Sequence, residues 1–187
     1  MAESAATIRR AHGPDAGAIA AVYRPYVLDS AISFELDPPG AQDIRQRMLA
    51  IPVLPWLVAV RGDDVVGYAY ASRHRERLAY RWSVDVTVYL GSAERGRGTG
   101  RALYERLLAE VTELGYVAAF AGITLPNEAS VALHEAMGFL PVGVFARAGF
   151  KQGRWLDVGW WQKALREPPT TPVEPLPWDQ PGSQTST

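Results

Sequence analysis

Three alternating glycines constrain this chain more than any other feature of its sequence. They occupy positions 96, 98 and 100 of the stretch from Arg95 to Arg101, which we call the glycine segment. A run with period two, Trp82 to Leu90, precedes it and predicts a strand, and an amphipathic run, Ala102 to Leu114, predicts a helix after it. Glycine permits positive φ and close backbone approach, so successive N–H groups can point at one oxygen-rich ligand beside a helix N-terminus. The segment therefore predicts a pyrophosphate site.

Two common nucleotide-binding motifs do not fit the glycine segment. A P-loop places Lys and then Ser or Thr directly after its last glycine, whereas Arg101 and Ala102 follow Gly100 here. A dinucleotide motif has the spacing G-x-G-x-x-G with an acid about 20 residues later. The spacing here is G-x-G-x-G, and the run from Tyr116 to Thr124 contains no acid. ATP, GTP and dinucleotides are therefore disfavoured, and a plain Gly/Arg-rich surface turn is the alternative to a ligand site.

Composition bounds the class of protein. The 187 residues are 48% apolar, enough for one domain with a sizeable core, and no run of about 18 apolar residues predicts a membrane span. We expect a single domain over residues 1–166 and a Pro-rich tail over 167–187, either solvated or docked through Leu176 or Trp178. A net charge of −1 gives no general attraction to nucleic acid. The chain has no cysteine, and Met1 to Thr7 show no export signal, which fits a cytoplasmic protein without cysteine chemistry.

Helical and strand-like runs alternate along the chain and predict an α/β fold with a central sheet. Helices are predicted over Pro14–Leu28 and Gln42–Leu49, and a further helix is predicted to begin after its N-cap Asn127 and to end at Met137. The further predicted strands are Thr7–Arg10, Trp56–Val60, Val65–Ser72, Tyr116–Thr124, Phe139–Phe145 and Trp155–Lys163. Between Trp82 and Leu90 every even position is apolar, so one face of this strand is left free for chemistry. Asp85 lies on that face.

Two segments resemble the GNAT superfamily of N-acetyltransferases. Arg95, Gly96, Gly98 and Gly100 are similar to its acetyl-CoA motif, and the stretch from Asn127 to Phe139 is similar to its Asn-x-x-Ala…Leu-Tyr-Glu-x-x-Gly-Phe segment. The resemblance implies the GNAT fold, a mixed and mostly antiparallel central β-sheet flanked by helices, and acetyl-CoA as co-substrate without a metal. It implies that acetyl-CoA contacts Thr87, Val88, Tyr89, Leu90, Arg95, Gly96, Arg97, Gly98, Thr99, Gly100, Arg101 and Asn127.

His134 stands where this superfamily commonly has a Tyr that protonates the departing CoA thiolate. The resemblance therefore implies that His134 is the catalytic acid, since imidazole titrates near neutral pH. The alternative is a hydrogen-bonded, half-buried histidine with a structural role. His12 and His74 show no ligand spacing, and we predict no metal site.

Within the superfamily the chain most resembles the phosphinothricin N-acetyltransferases, from about Ile8 to Leu165. The similar segments are Trp82–Leu90, Leu125–Phe139 and Arg147–Gln162. Asp85 stands where this family has a Glu that acts as general base, and because Asp is one methylene shorter we expect it to reach the amine through a bridging water. The alternative role for Asp85 is an ion pair with Arg77 or Arg81.

The same resemblance implies the substrate contacts. The family's basic-x-Arg-x-x-Tyr cluster matches Arg75, Arg77 and Tyr80, and its substrate-contacting Phe matches Phe34. A guanidinium can bind a carboxylate or phosphinate through two hydrogen bonds. A solvated basic loop is the alternative, above all for Arg73 and Arg81.

These patterns predict an enzyme that moves acetyl from acetyl-CoA directly to a small amino-acid-like substrate in a ternary complex. Phosphinothricin, methionine sulfoximine and methionine sulfone share an amino acid head and a tetrahedral tail, and the sequence does not rank them. The alternatives are a GNAT enzyme for a peptide N-terminus or a polyamine, and a non-catalytic CoA-binding sensor. Family members are commonly dimers, so we expect a homodimer, with Trp155, Trp160 and Trp161 exposed at its interface.

Overall fold

The computed structural model describes residues 5–50 and 52–178, which form one seven-stranded sheet with helices on both faces. The strands are β1 (Thr7–Arg10), β2 (Trp56–Arg61), β3 (Asp64–Arg73), β4 (Ser83–Leu90), β5 (Ala118–Leu125), β6 (Leu140–Lys151) and β7 (Arg154–Ala164). The helices are α1 (Ala16–Leu28), α2 (Ala41–Met48), α3 (Thr99–Glu113) and α4 (Glu128–Ala136). No helix among the described residues is long and apolar enough to cross a membrane.

The strand order in the sheet is β1-β2-β3-β4-β5-β7-β6. Every neighbouring pair is antiparallel except β4 and β5, which run parallel. The mixed, mostly antiparallel sheet expected from the sequence is therefore confirmed.

Two apolar clusters fix the helices against the two faces of the sheet. On one face α3 buries the stripe of Leu103, Leu107 and Val111 against β3, β4 and β5. On the other face α1 and α2 bury side chains such as Ile19 and Ile44 against β2 and β3. The period of two in β4 separates these environments, because Val84 and Val86 are buried against α3 while Asp85 faces the opposite way.

Most predicted boundaries lie within two residues of the observed ones, and two differ by more. Helix α3 begins at Thr99 rather than Ala102, because Gly98 is its N-cap with φ 81° and the last residues of the glycine segment form its first turn. Strand β6 runs on to Lys151 rather than ending at Phe145, through an irregularity where Arg147 has φ 52°. The backbone N–H of Arg147 donates to Asp157 Oδ1 on β7 at 2.7 Å, which holds the irregular stretch on the sheet.

The expectation of three exposed tryptophans at an interface is wrong for Trp161. Only 7% of Trp161 is exposed, Trp160 is half-buried, and Trp155 alone is 62% exposed. Consecutive residues of a strand face opposite sides of the sheet, so Trp160 and Trp161 cannot share one surface.

The part of the tail that the structure describes packs on the domain rather than lying in solvent. Trp178 is buried, and its indole Nε1 donates to Glu110 Oε2 on α3 at 2.9 Å. The backbone N–H of Leu176 donates to the carbonyl of Leu114 at 2.7 Å, although the Leu176 side chain is 63% exposed. Trp178 is therefore the anchor. Residues 179–187 of the expected tail, and residues 1–4 of the stretch expected to lack an export signal, lie outside the described residues.

We predict that Trp178→Ala lowers the free energy of unfolding by about 3 kcal/mol, because it removes a large buried ring and leaves Glu110 without one of its donors. Urea denaturation followed by circular dichroism measures this. The matched control is Leu176→Ala in the same tail, whose exposed side chain should contribute less than about 0.5 kcal/mol. Equal effects of the two changes would contradict the anchoring role of Trp178.

Candidate active site

The parallel pairing of β4 with β5 stops after three residue pairs, and this opens a cleft in the sheet. The last pair is Asp85 with Phe120, after which β5 remains paired only with β7. The backbone groups of β4 from residue 86 onward therefore have no β5 partners, and unpaired backbone groups bind extended ligands well. A cavity of about 50 Å³ lies in this cleft, lined on its two sides by strand residues such as Thr87 and Gly122 and at its end by Asn127 and His134 of the α4 region.

The glycine segment adjoins the end of β4. Gly96 and Gly98 have φ values of 73° and 81°, and a Cβ on either would meet no atom within 4 Å. The segment is thus left-handed at two positions and open on its outer side. At the N-terminus of α3 the first-turn N–H groups of Thr99, Gly100 and Arg101 have no helical acceptor. Glycine φ values and helix dipole together suit an anion with several oxygens.

An ion pair between Arg61 and Glu94, which the sequence analysis missed, contacts the glycine segment at Thr99. The carboxylate of Glu94 is buried, accepts two hydrogen bonds from Arg61 at 2.9 and 3.0 Å, and accepts a third from the Thr99 hydroxyl at 2.7 Å. The hydrogen bonds from Arg61 lower the pKa of the Glu94 carboxyl, so it stays ionised. Because the Thr99 hydroxyl is occupied, Thr99 offers a ligand only its backbone. Sequence distance hid this contact, since Arg61 is 33 residues from Glu94.

The other residues predicted to contact acetyl-CoA differ in how far their polar groups are already engaged within the protein. Gly100 lies within α3, where a Cβ would come 3.3 Å from Leu90, so it permits close packing of helix on strand. The Leu90 carbonyl accepts from the Tyr26 hydroxyl at 2.6 Å, and its N–H donates to the same hydroxyl at 3.3 Å. Arg101 is held by Glu105 at 2.8 Å, and the Arg95 guanidinium lies 5.5 Å from the Tyr26 ring centre.

Asn127 caps α4 as predicted. Its side-chain oxygen accepts from the backbone N–H of Ser130 at 3.2 Å. The side-chain oxygen is thus occupied, and the amide NH₂ group is left to donate into the cleft that Asn127 lines.

Asp85 pairs with a histidine that the sequence analysis did not select. His74 Nδ1 lies 2.6 Å from Asp85 Oδ1, and neither Arg77 nor Arg81 pairs with this carboxylate. Burial raises the pKa of Asp85, against the opposing effect of the His74 hydrogen bond. His74 directly follows β3, whose Arg73 pairs with Val84 of β4, so the hairpin register brings the imidazole beside Asp85. The spacing of His74 and Asp85 in the sequence does not predict this contact.

His134 is buried and both of its ring nitrogens are occupied. Nδ1 donates to the Ser130 carbonyl at 2.7 Å, and Nε2 accepts from the Tyr104 hydroxyl at 2.9 Å. Burial lowers the pKa of His134, which favours the neutral ring, and burial raises the pKa of Tyr104. In this neutral pair the Tyr104 hydroxyl proton points at His134 Nε2, and both residues line the cavity.

Part of the basic loop, residues 73–81, gathers around the Asp85 pair. The Arg75 guanidinium lies over the Trp160 ring at 5.2 Å, and the ring of Tyr80 is 5.8 Å from that of His74. Trp160 Nε1 is the one buried side-chain polar atom without a hydrogen-bond partner in the part of the chain that the structure describes. Arg77 lines a hollow of about 60 Å³ to which Arg75 also contributes, together with Arg73 and Arg81.

Phe34 is carried by the loop over residues 29–40, which a buried lysine ties down. Lys151 Nζ donates to the carbonyls of Val27, Ser33 and Glu35 at 2.7, 2.7 and 2.8 Å. The Phe34 ring lies so close to Gly149 that a Cβ there would come within 2.2 Å of it. Neither partner of the loop was selected from the sequence. Among residues 5–50 and 52–178, no cluster of His, Cys, Asp or Glu is suited to a metal ion.

Comparison with known proteins gives consistent matches over nearly the whole described chain. Residues 8–160 match the family model for an acetyltransferase (GNAT) domain. A phosphinothricin N-acetyltransferase of Streptomyces viridochromogenes is 37% identical over 90% of this chain and 93% of its own. An L-methionine sulfoximine/L-methionine sulfone acetyltransferase of Salmonella typhimurium is 34% identical over 86% and 95% of the two chains. The crystal structure of a phosphinothricin acetyltransferase from Sinorhizobium meliloti in complex with acetyl-CoA is 38% identical, covers 91% of this chain and 95% of that one, and superposes with a TM-score of 0.87.

Proposed function

This chain belongs to the GNAT acetyltransferase family, and from that premise we propose that it acetylates the α-amino group of phosphinothricin or a related amino acid such as methionine sulfoximine or methionine sulfone. Acetyl-CoA is the acetyl donor. The observation that carries the proposal is the cleft that opens in the sheet at Asp85, between the glycine segment and the Arg75 group. One end suits the co-substrate's phosphates and the other suits an anionic amino acid, so the amine and the thioester would meet beside Asp85.

Direct transfer within a ternary complex fits this arrangement. The chain contains no cysteine, so an acetyl-cysteine intermediate is not open to it. We propose that Gly96, Gly98 and the first turn of α3 bind the pyrophosphate, with Arg95, Arg97 and Arg101 contributing charge at the rim. The backbone N–H of Val88 then faces the thioester and stabilises the oxyanion of the tetrahedral intermediate. Thr87 and Tyr89 also line the cavity, but their N–H groups point toward β3, because backbone groups alternate between the two edges of a strand. Leu90, already engaged by Tyr26, packs the base of the cleft, and Asn127 donates its amide N–H to the pantetheine arm.

Proton transfer divides between the two ends of the cleft. The α-ammonium must lose a proton before nitrogen can attack, and Asp85 with its partner His74 is the basic group beside the cleft. We propose that His134 assists the departure of the thiolate together with Tyr104. Neutral His134 has no proton on the nitrogen that faces Tyr104, so the pair transfers none: the Tyr104 hydroxyl turns to donate a hydrogen bond to the leaving sulfur, and this is the smaller of the two effects.

The anionic tail of the substrate belongs beside Arg75. Arg73 pairs with Glu76 and Arg81 contacts Glu174, whereas no carboxylate of the described residues pairs with Arg75 or Arg77. The Arg75 guanidinium lies over the Trp160 ring, which holds it beside the Asp85 pair. Tyr80 and Phe34 complete the pocket in this proposal, and Arg77 approaches from the basic loop.

The edge of the sheet supports a homodimer. Strand β6 is an outer strand, and its exposed side chains include Val142, Val144 and Phe145 at 60%, 56% and 56% exposure. A long apolar edge strand invites aggregation unless a partner covers it. We propose that a second copy of the chain does so, and sedimentation velocity that finds only monomer would refute it. We also place the enzyme in the cytoplasm, since a chain without cysteine needs no oxidising compartment.

The deciding experiment is CoA release with purified protein and acetyl-CoA, measured with three classes of acceptor. Phosphinothricin and methionine sulfone represent the proposed substrates, a peptide with a free N-terminus represents protein acetylation, and spermidine represents polyamines. We expect turnover on the first class only. Faster turnover on the peptide or on spermidine would replace the proposed substrate, and acetyl-CoA binding without turnover on any acceptor would indicate a sensor.

We predict that Gly98→Val weakens acetyl-CoA binding about tenfold or more, a loss of about 1.4 kcal/mol. A β-branched residue disfavours φ 81°, so the backbone N–H groups rotate and the new side chain occupies the open space in front of them. Isothermal titration with CoA measures this. Gly62→Val is the matched control, since Gly62 has φ 60° in the β2–β3 turn with open space around it and lies outside the proposed site. Unchanged affinity of Gly98→Val would contradict the phosphate site.

We predict that Arg75→Ala raises KM for phosphinothricin about 10- to 100-fold, because it removes a charge-assisted hydrogen bond worth about 1.5–3 kcal/mol. KM for acetyl-CoA should change less than about twofold. Arg73→Ala is the control on the same loop, since Arg73 pairs with Glu76 at the surface. Arg77→Ala, measured alongside, tests whether Arg77 also reaches the substrate from the hollow that it shares with Arg75. Equal loss for both substrates in Arg75→Ala would indicate misfolding rather than a substrate contact.

A further inference from the structure

The Asp85–His74 pair has the arrangement of a carboxylate that orients an imidazole. With Asp85 ionised, its carboxylate can only accept across the 2.6 Å contact, and the donor is the proton on His74 Nδ1. The other nitrogen, Nε2, then carries the free lone pair. Nε2 has no hydrogen-bond partner among the described residues. It is nevertheless accessible, because the only fully buried side-chain polar atom without a partner among those residues is Trp160 Nε1.

The ring is held from three sides. It stacks on Phe120 at 4.1 Å between ring centres, and the edges of Tyr80 and Trp160 approach it at 5.8 and 6.2 Å. Only 9% of the His74 side chain is exposed. An imidazole fixed in this way presents one nitrogen in one direction, as a proton acceptor in catalysis requires.

The pair lies at the proposed site. Phe120 is the β5 partner of Asp85 at the last paired position before the cleft. Trp160 packs against Gly122, which lines the cleft cavity, and the Arg75 guanidinium covers the same indole. The charged and titratable groups around His74 are thus Asp85 from β4, and Arg75 and Tyr80 from the basic loop, while β5 and β7 contribute only uncharged rings.

We propose that His74 and Asp85 act as one base, in which His74 Nε2, directly or through one water, takes the proton from the substrate ammonium and Asp85 stabilises the imidazolium. This inference rests on the proposed function and assigns to His74 a catalytic role that Asp85 alone was expected to fill. An imidazole suits the task better, because its ordinary pKa lies nearer that of an α-ammonium. Proton transfer from any one amine is about 400-fold less unfavourable to an ordinary His than to an ordinary Asp, because their reference pKa values differ by about 2.6.

The reaction balances with no further reactant. Nε2 takes one proton from R–NH₃⁺, and the freed nitrogen lone pair forms the C–N bond with the thioester carbonyl carbon. The tetrahedral oxyanion collapses and the C–S bond breaks, with its electron pair leaving on sulfur. The second proton of the attacking nitrogen passes to the thiolate, and the imidazolium returns its proton to solvent. The products are the amide, CoA thiol and one proton.

Three variants at position 74 separate proton acceptance from positioning. His74→Phe keeps a ring against Phe120 but has no nitrogen, and we expect kcat to fall about 10²–10⁴-fold with acetyl-CoA affinity unchanged. His74→Asn can still donate to Asp85 but cannot take up a proton, so it should be as slow as His74→Phe. His74→Ala should regain activity when imidazole is added. His12→Phe, at an exposed histidine away from the cleft, is the control.

The outcomes are distinct. Full activity of His74→Asn beside a slow His74→Phe would show that His74 only positions Asp85, and normal kcat of His74→Phe beside a slow Asp85→Asn would show that the carboxylate acts alone; either overturns the proposal. In the double variant His74→Phe/Asp85→Asn, a loss of kcat equal to the product of the two single losses would also overturn it, because residues that act together give non-additive effects.

Failure of the proposed function is recognised separately. If the wild-type protein acetylates none of the amino acids, the substrate assignment fails whatever the variants do. Nitrogen-15 NMR of the three histidines, assigned with His74→Phe, then tests the pair without turnover. We expect His74 protonated on Nδ1 and bare on Nε2 above neutral pH, and the opposite tautomer would overturn the proposal.

Discussion

The structure depends on the point at which β4 and β5 stop pairing. Three residue pairs hold the two strands together, and beyond Asp85 and Phe120 they separate. Separation costs backbone hydrogen bonds, and the fold offsets this by keeping β3 on the far side of β4 and β7 on the far side of β5. Each strand therefore stays straight and rigid while one of its edges is open. A ligand with an extended amide chain can complete those edges, so the opening in the sheet acts as a binding site without a dedicated loop.

The buried charged side chains of the described residues follow one rule. Each buried charge has a small and fixed set of partners: Glu94 has Arg61 and Thr99, Glu110 has Arg106 and Trp178, and Lys151 has three carbonyls. Such groups cost desolvation, and their hydrogen bonds largely offset that cost. Asp85 differs because its partner is an imidazole, whose second ring nitrogen has no hydrogen-bond partner among the described residues. Asp85 is also less completely buried than these groups, with 25% of its side chain exposed.

Much of the fold and part of the site could be predicted from local patterns. The period of two in β4 placed Asp85 on the free face, the glycine segment located the turn before α3, and Asn127 identified the start of α4. These signals are local, because each depends only on residues that are close together in the sequence. The contacts that escaped prediction join distant segments: Arg61 with Glu94, Lys151 with the Phe34 loop, and His74 with Asp85. His74 and Asp85 are only 11 residues apart, yet the register of β3 against β4 decides their contact. Trp160 and Trp161 are a prediction error that local reasoning could have avoided, since neighbouring residues of a strand face opposite sides of the sheet.

The anchored tail also affects how the protein is made. Synthesis proceeds from the N-terminus, and Trp178 follows Glu110 by 68 residues. Until Trp178 has left the ribosome, the end of α3 carries a carboxylate without its indole donor and an apolar surface without its cover. A prematurely terminated chain would therefore display at α3 a feature that the finished protein hides, and a chaperone or protease that binds exposed apolar surface could distinguish the two.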